Sequence, residues 1–85
     1  WRVHFTEGTY NLKFRFIKPV PADGRMIVET KSFISQMNNK TGITDVIEMK
    51  NVVIPEMKCE FTPFYLSGLK KILPLWVEIE KIRGI

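Results

Sequence analysis

Residues 8–29 read GTYNLKFRFIKPVPADGRMIVE, and hydrophobic and polar positions alternate through the first half. Tyr10, Leu12, Phe14 and Phe16 fall on one face, and Asn11, Lys13 and Arg15 on the other. A period of two belongs to a half-buried β-strand. Pro19, Pro21 and Asp23-Gly24 then form a corner, because proline has no N–H for a ladder and Asp-Gly suits a tight turn. RMIVET (25–30) restores the strand pattern. Upstream, WRVHFT places Trp1, Val3 and Phe5 on one face, with Glu7-Gly8 as a short turn. Downstream, ITDVIEMKNVVI alternates around Ile47 and Met49 until Pro55. MKCEFT sets Met57, Cys59 and Phe61 against Lys58, Glu60 and Thr62. The last run, LPLWVEIEKIRGI, gives Leu75, Val77 and Ile79 one face and Trp76, Glu78 and Glu80 the other. Ile82 breaks that alternation, which predicts a bulge near Lys81. KSFISQMNNKTG is the least regular stretch. Phe33, Ile34 and Met37 have the spacing of one helical turn, and Asn38-Asn39 and Gly42 are turn chemistry. Pro63 and Ser67-Gly68 punctuate a loop that carries Lys70 and Lys71.

Six strands separated by turn signals predict an all-β fold, a small antiparallel β-sandwich of immunoglobulin-like (Ig-like) type, as a single domain over residues 1–85. A small barrel is the other arrangement such strands make. An immunoglobulin-type sandwich uses seven strands and roughly 100 residues, whereas this chain has 85. Six strands leave sheet edges open, and an open edge invites a strand from a neighbour. Strand two is long and free of proline before Pro19, which suits such pairing; Lys13 and Arg15 on it act against it. The chain starts at Trp1 and both ends fall inside strand patterns, so the expectation is a processed chain or one unit of something longer.

Composition narrows the chemistry. An apolar share of 45% is that of a globular chain, and no apolar run reaches the roughly 18 residues of a membrane-spanning helix. His4 is the only histidine and Cys59 the only cysteine. Histidine-dependent nucleophilic catalysis would have to use His4, on an exposed strand position. Cys59 lies between Met57 and Phe61 on the apolar face, where a thiol is a small hydrophobe. One His and one Cys do not make a zinc site of usual composition. The acids Asp23, Glu29, Asp45 and Glu48 are scattered, unlike calcium ligands. Glu78 and Glu80 share a solvent face beside Lys81, and no glycine-rich phosphate loop occurs. The expectation is a protein that is not an enzyme, with no cofactor, no metal and no small-molecule substrate.

The formal charge is +4. Lys13, Arg15, Lys18 and Arg25 are the candidate basic contact surface. A sheet binds single-stranded nucleic acid when aromatic and basic side chains share one exposed face. Here Tyr10, Phe14 and Phe16 alternate away from Lys13 and Arg15, so nucleic acid is the second reading, through a small basic barrel of OB or Sm-like type. Asn39-Lys40-Thr41 is an N-glycosylation sequon, and Asn39 is the candidate glycan position.

Three stretches together resemble a family. EGTYNLKFRFIKPVPADGRMIVE is similar to the TYxFxFxxxxPIPxGGxIxIxFP run of tandem β-sandwich repeats in protist, especially ciliate, surface proteins. Tyr10, Leu12, Phe14, Pro19, Pro21, Gly24 and Ile27 fall where that pattern wants them. Cys59 and VEIEKIRGI look like the middle and last strands of such a repeat. The likeness departs at Glu29-Thr30, where the pattern has Phe-Pro, and does not extend over Lys31 to Pro55. It implies an extracellular, glycosylated, non-enzymatic repeat and names no catalytic or binding residues. The leading expectation is thus a structural module of an extracellular filament or surface assembly, joined through strand edges to copies of itself or to neighbouring domains. A virus or phage structural subunit fits the same features.

Overall fold

The computed structural model of the chain describes residues 2–30 and 33–84, without the side chains of Arg2 and Cys59. The inward placements expected for Trp1 and Cys59 lie outside the described residues. The described residues form nine strands and no helix: β1 (Arg2–Phe5), β2 (Gly8–Val20), β3 (Arg25–Glu29), β4 (Ile34–Asn38), β5 (Thr44–Ile54), β6 (Met57–Glu60), β7 (Thr62–Ser67), β8 (Lys70–Ile72) and β9 (Trp76–Gly84). The fold is all-β and every pairing is antiparallel. The strand orders are β1-β6, β5-β2-β9 and β4-β3-β7-β8.

Two long stretches explain most of this topology. β1 and β2 follow one another across Thr6-Glu7, and β5 and β6 across Pro55-Glu56. β1 pairs with β6 and β2 with β5, so Phe5 faces Met57 and Gly8 faces Ile54 on either side of one corner. The proline marks where this ladder bends, because it has no N–H to continue it. Beyond Phe61 the chain leaves β1 and enters β7, which pairs with β3. Bends of this kind are how strands switch between sheets.

One hydrophobic cluster serves all three sheets. Tyr10, Leu12, Phe14 and Phe16 of β2 are buried, as their alternation predicts, with Ile47, Met49, Val52 and Ile54 of β5 beside them. Met26 and Val28 of β3 and Tyr65 of β7 come from the four-stranded sheet. The rings of Phe16 and Tyr65 meet edge to face with centroids 6.1 Å apart, and Phe5 meets Tyr10 at 5.2 Å and Phe61 at 5.8 Å. These aromatic contacts join the small β1-β6 pair and the two larger sheets into one core. Offset and edge-to-face pairs of this kind add about 0.5–1.5 kcal/mol each beyond burial.

Four local features differ from the sequence expectation. The strand count is nine, where six were expected. Residues 34–38, read as one helical turn, are β4: Phe33, Ser35 and Met37 are partly covered while Ile34, Gln36 and Asn38 are exposed. The polar Ser35 on the inward side concealed a period of two. The stretch read as a loop around Pro63 contains β7, and Lys70 and Lys71 lie in β8. Pro63 sits in the part of β7 that β8 does not reach, so β7 is an edge there, where a sheet tolerates proline. Finally, β2 is the central strand of its sheet and not an edge.

Two bulges shape β2's neighbours. Tyr10 faces Val52 but Leu12 faces Met49, so Lys50 and Asn51 together oppose Asn11. Asn51 takes a left-handed backbone (φ 57°), and its N–H donates to Asn11 Oδ1 at 3.2 Å. On the other side Thr9 faces Arg83 and Tyr10 faces Lys81. Ile82 is therefore the extra residue, as the broken alternation beside Lys81 predicts.

Candidate interaction surface

The residues with chemical potential are dispersed. His4 is exposed on β1, with Nε2 4.0 Å from Glu56 Oε1. No group of three or more His, Cys, Asp or Glu that could hold a metal occurs among the described residues. Among the described residues no helix is long and apolar enough to cross a membrane.

The four candidate basic residues do not form one surface. Lys13 and Arg15 stand on the outer face of β2, flanked by acids from both neighbours. Lys13 Nζ is 3.6 Å from Glu48 Oε1 of β5, and Arg15 Nε is 3.4 Å from Glu78 Oε1 of β9. Lys13 also faces Glu78 directly across the ladder, and Asn11 donates to Glu80 at 3.3 Å. This face is a row of alternating charge, with little positive potential left for a phosphate backbone. Lys18 lies exposed near the end of β2, and Arg25 opens β3 in the other sheet. Tyr10, Phe14 and Phe16 are buried beneath this sheet, so no aromatic platform accompanies the cations. Lys71, in β8, holds its ammonium 4.7 Å from the centroid of the Phe64 ring.

Asn39 follows β4 and is drawn into the fold. Its Nδ2 donates to the carbonyls of Gly42 (2.8 Å) and Pro21 (3.1 Å) and to Tyr65 Oη (3.1 Å). Its Oδ1 accepts from the N–H (2.9 Å) and hydroxyl (2.8 Å) of Thr41. The sequon is thus folded on itself as an Asx turn, with the amide nitrogen pointing into three acceptors. A glycan on Nδ2 would compete with these contacts.

The largest departure from the sequence pattern is β9. Its expected inner face was Leu75, Val77 and Ile79. Leu75 is 68% exposed, Ile79 40%, Trp76 56% and Ile82 47%, and only Val77 packs on the core. β9 runs nine residues along the edge of its sheet. β9 is also paired on one side only, with β2. About half of its backbone N–H and C=O groups point away from the ladder, as on any edge strand. Leu73 and Ile17, both exposed, add to the apolar character near this edge.

The other sides of the molecule have free edges too. β5 and β4 are the outer strands of the two larger sheets. Two hollows of about 440 and 340 Å³ lie between them, with Met37 and Lys50 lining both. The β9 edge carries exposed Trp76, Ile79 and Ile82 among its four charged residues. Sequence reasoning looked for the open edge in β2, and alternation alone did not single out β9 as an edge. Searched against known proteins, the chain matches no family, no curated protein and no solved structure.

Proposed function

We propose that this chain is a non-enzymatic structural module: a sandwich of its two larger antiparallel sheets, joined through strand edges to copies of itself or to neighbouring domains. The observation that carries this reading is β9. It is a nine-residue edge strand with Trp76, Ile79 and Ile82 exposed along it and Leu75 exposed just before it. Edges of soluble monomers are usually short, charged, interrupted by proline or covered. β9 contains no proline and presents an aromatic anchor of the kind that concentrates binding energy at interfaces. A strand laid beside β9 would satisfy its outward backbone groups and cover Ile79. The extracellular setting of the assembly rests on the resemblance to ciliate surface repeats alone.

The nucleic-acid reading has less support. Its aromatic residues are core, and its two central cations already face carboxylates.

Light scattering after size exclusion tests the proposal. The expected outcome is a mass above the 10.0 kDa monomer that rises with concentration and survives ~1 M salt, where surface ion pairs are screened. Trp76→Glu with Ile79→Glu should return the chain to monomer, with circular dichroism confirming that the fold is kept. A monomer at every concentration would sink the proposal.

A further inference from the structure

The charge pattern on β9 decides what kind of contact it makes. Suppose two copies paired antiparallel, β9 on β9, about a two-fold axis. Like faces stay together in such a ladder, so over residues 76–81, before the bulge at Ile82, each residue meets itself or a residue an even number of positions away. Centred on Glu78 or Glu80, the pairing sets a carboxylate against its own copy. Centred on Ile79 it sets Glu78 against Glu80, and centred on Lys81 it sets ammonium against ammonium. Like charges directly opposite one another are destabilising. Registers further out leave most of the strand unpaired.

The complementary edge is on the opposite side of the same sheet. β5 and β9 are both antiparallel to β2, and therefore parallel to each other. The hollow beside β5 is lined by Met37, Lys40, Thr41, Val46 and Lys50. Among the described residues Lys40 and Lys50 have no ion pair. Of the two acids of that strand, Glu48 is already beside Lys13 and Asp45 lies near its start. A second copy displaced sideways across the sheet brings its β9 parallel to β5. With Lys50 beside Glu78 of that copy, Glu48 falls beside its Trp76 and Asp45 beside its Leu73, so no like charges sit directly side by side, and Glu48 lies diagonally from Glu78. Glu80 of the copy lies diagonally from Lys50, within reach of long side chains.

We infer that the occupant of the β9 edge is the β5 edge of a second copy of this chain, in a head-to-tail contact that repeats. This rests on the strand-edge assembly proposed above. A heterologous contact of this kind grows past the dimer, into a ring or an open filament.

The test is a charge swap on full-length protein, Glu80→Lys and Lys50→Glu, with circular dichroism confirming the fold of each. Glu80 is chosen because Glu78 also holds Arg15. Wild type should grow beyond dimer with concentration in sedimentation velocity. Each single variant should need roughly tenfold more protein to associate, since each repeats a like-charge contact at every interface. An equimolar mixture of the two should associate more readily than either variant alone, because one junction of each alternating pair keeps Lys50 against Glu78 and Glu80, and the other sets the new lysine at position 80 near the new glutamate at position 50. Growth that stops at dimer, or single variants that associate like wild type, would overturn the head-to-tail contact and leave strand-edge assembly standing. A wild-type monomer up to ~1 mM, a limit of only about 4 kcal/mol of binding, would overturn both.

Discussion

Asn39 and Tyr65 lie 26 residues apart and meet through a 3.1 Å hydrogen bond from Nδ2 to the phenol oxygen. The same phenol donates to the carbonyl of Pro21 and accepts the N–H of Gly24 at 2.9 Å. One tyrosine thus gathers the β2–β3 corner and the β4–β5 loop onto β7. Its ring is fully buried, so these polar groups have few other partners. Tyr65→Phe keeps the packing and leaves three groups short of a partner. The expected loss is about 1–3 kcal/mol, read from urea denaturation. A loss under about 0.5 kcal/mol would show that water replaces the phenol.

Asn39 makes a second prediction through the same network. If the chain is secreted and glycosylated at Asn39, the glycosylated form should melt below the unglycosylated one. Its Nδ2 then has one hydrogen for the carbonyls and the phenol, where the free amide has two. Equal melting temperatures for the two forms, separated by lectin chromatography, would refute the point.

Gly24 and Gly42 should respond to alanine for different reasons. A Cβ on Gly24 would run into the Tyr65 ring and the carbonyl of Leu66, with no room for either to retreat. About 1–3 kcal/mol of overpacking cost is expected. Gly42 has open space around it but a φ of +85°. Gly42→Ala should cost only about 1 kcal/mol, from backbone strain. Thermal melts that reverse this order would argue against the close packing of Gly24.

The bulge at Asn51 gives a clean backbone test. Asn tolerates the left-handed region and a β-branched residue does not. Asn51→Val should cost about 1–2 kcal/mol, whereas Asn51→Gly should cost nothing measurable by the same melt.

Phe14, fully buried at the centre of β2, should lose about 3–5 kcal/mol on change to alanine. A loss below about 1 kcal/mol would contradict its place in the core.

Lys13→Glu with Arg15→Glu tests the nucleic-acid reading and the charged row together. Each reversal sets an acid against Glu48 or Glu78, so stability should fall by about 0.2–1 kcal/mol per pair. Titration of a labelled single-stranded oligonucleotide should show no binding by wild type at physiological salt. Tight wild-type binding with a steep salt slope, abolished by the double variant, would promote the second reading.

The sequence by itself determined the class of fold and the facing of its best strands. Tyr10, Leu12, Phe14 and Phe16 alternate with polar residues, and all four are buried against the core. The broken period at Ile82 likewise announced its bulge. β4 stayed hidden because Ser35 occupies an inward position, and β7 because Pro63 sits inside it; both are strands only because β3 offers them a ladder. What tertiary structure alone decided is which strand is central and which is an edge. β2 and β9 carry similar alternating patterns, yet one is covered on both sides and the other on one. Alternation records that a face is apolar, and it cannot record what stands opposite. That depends on which strands pair: β2 lies between β5 and β9, and β9 has β2 alone.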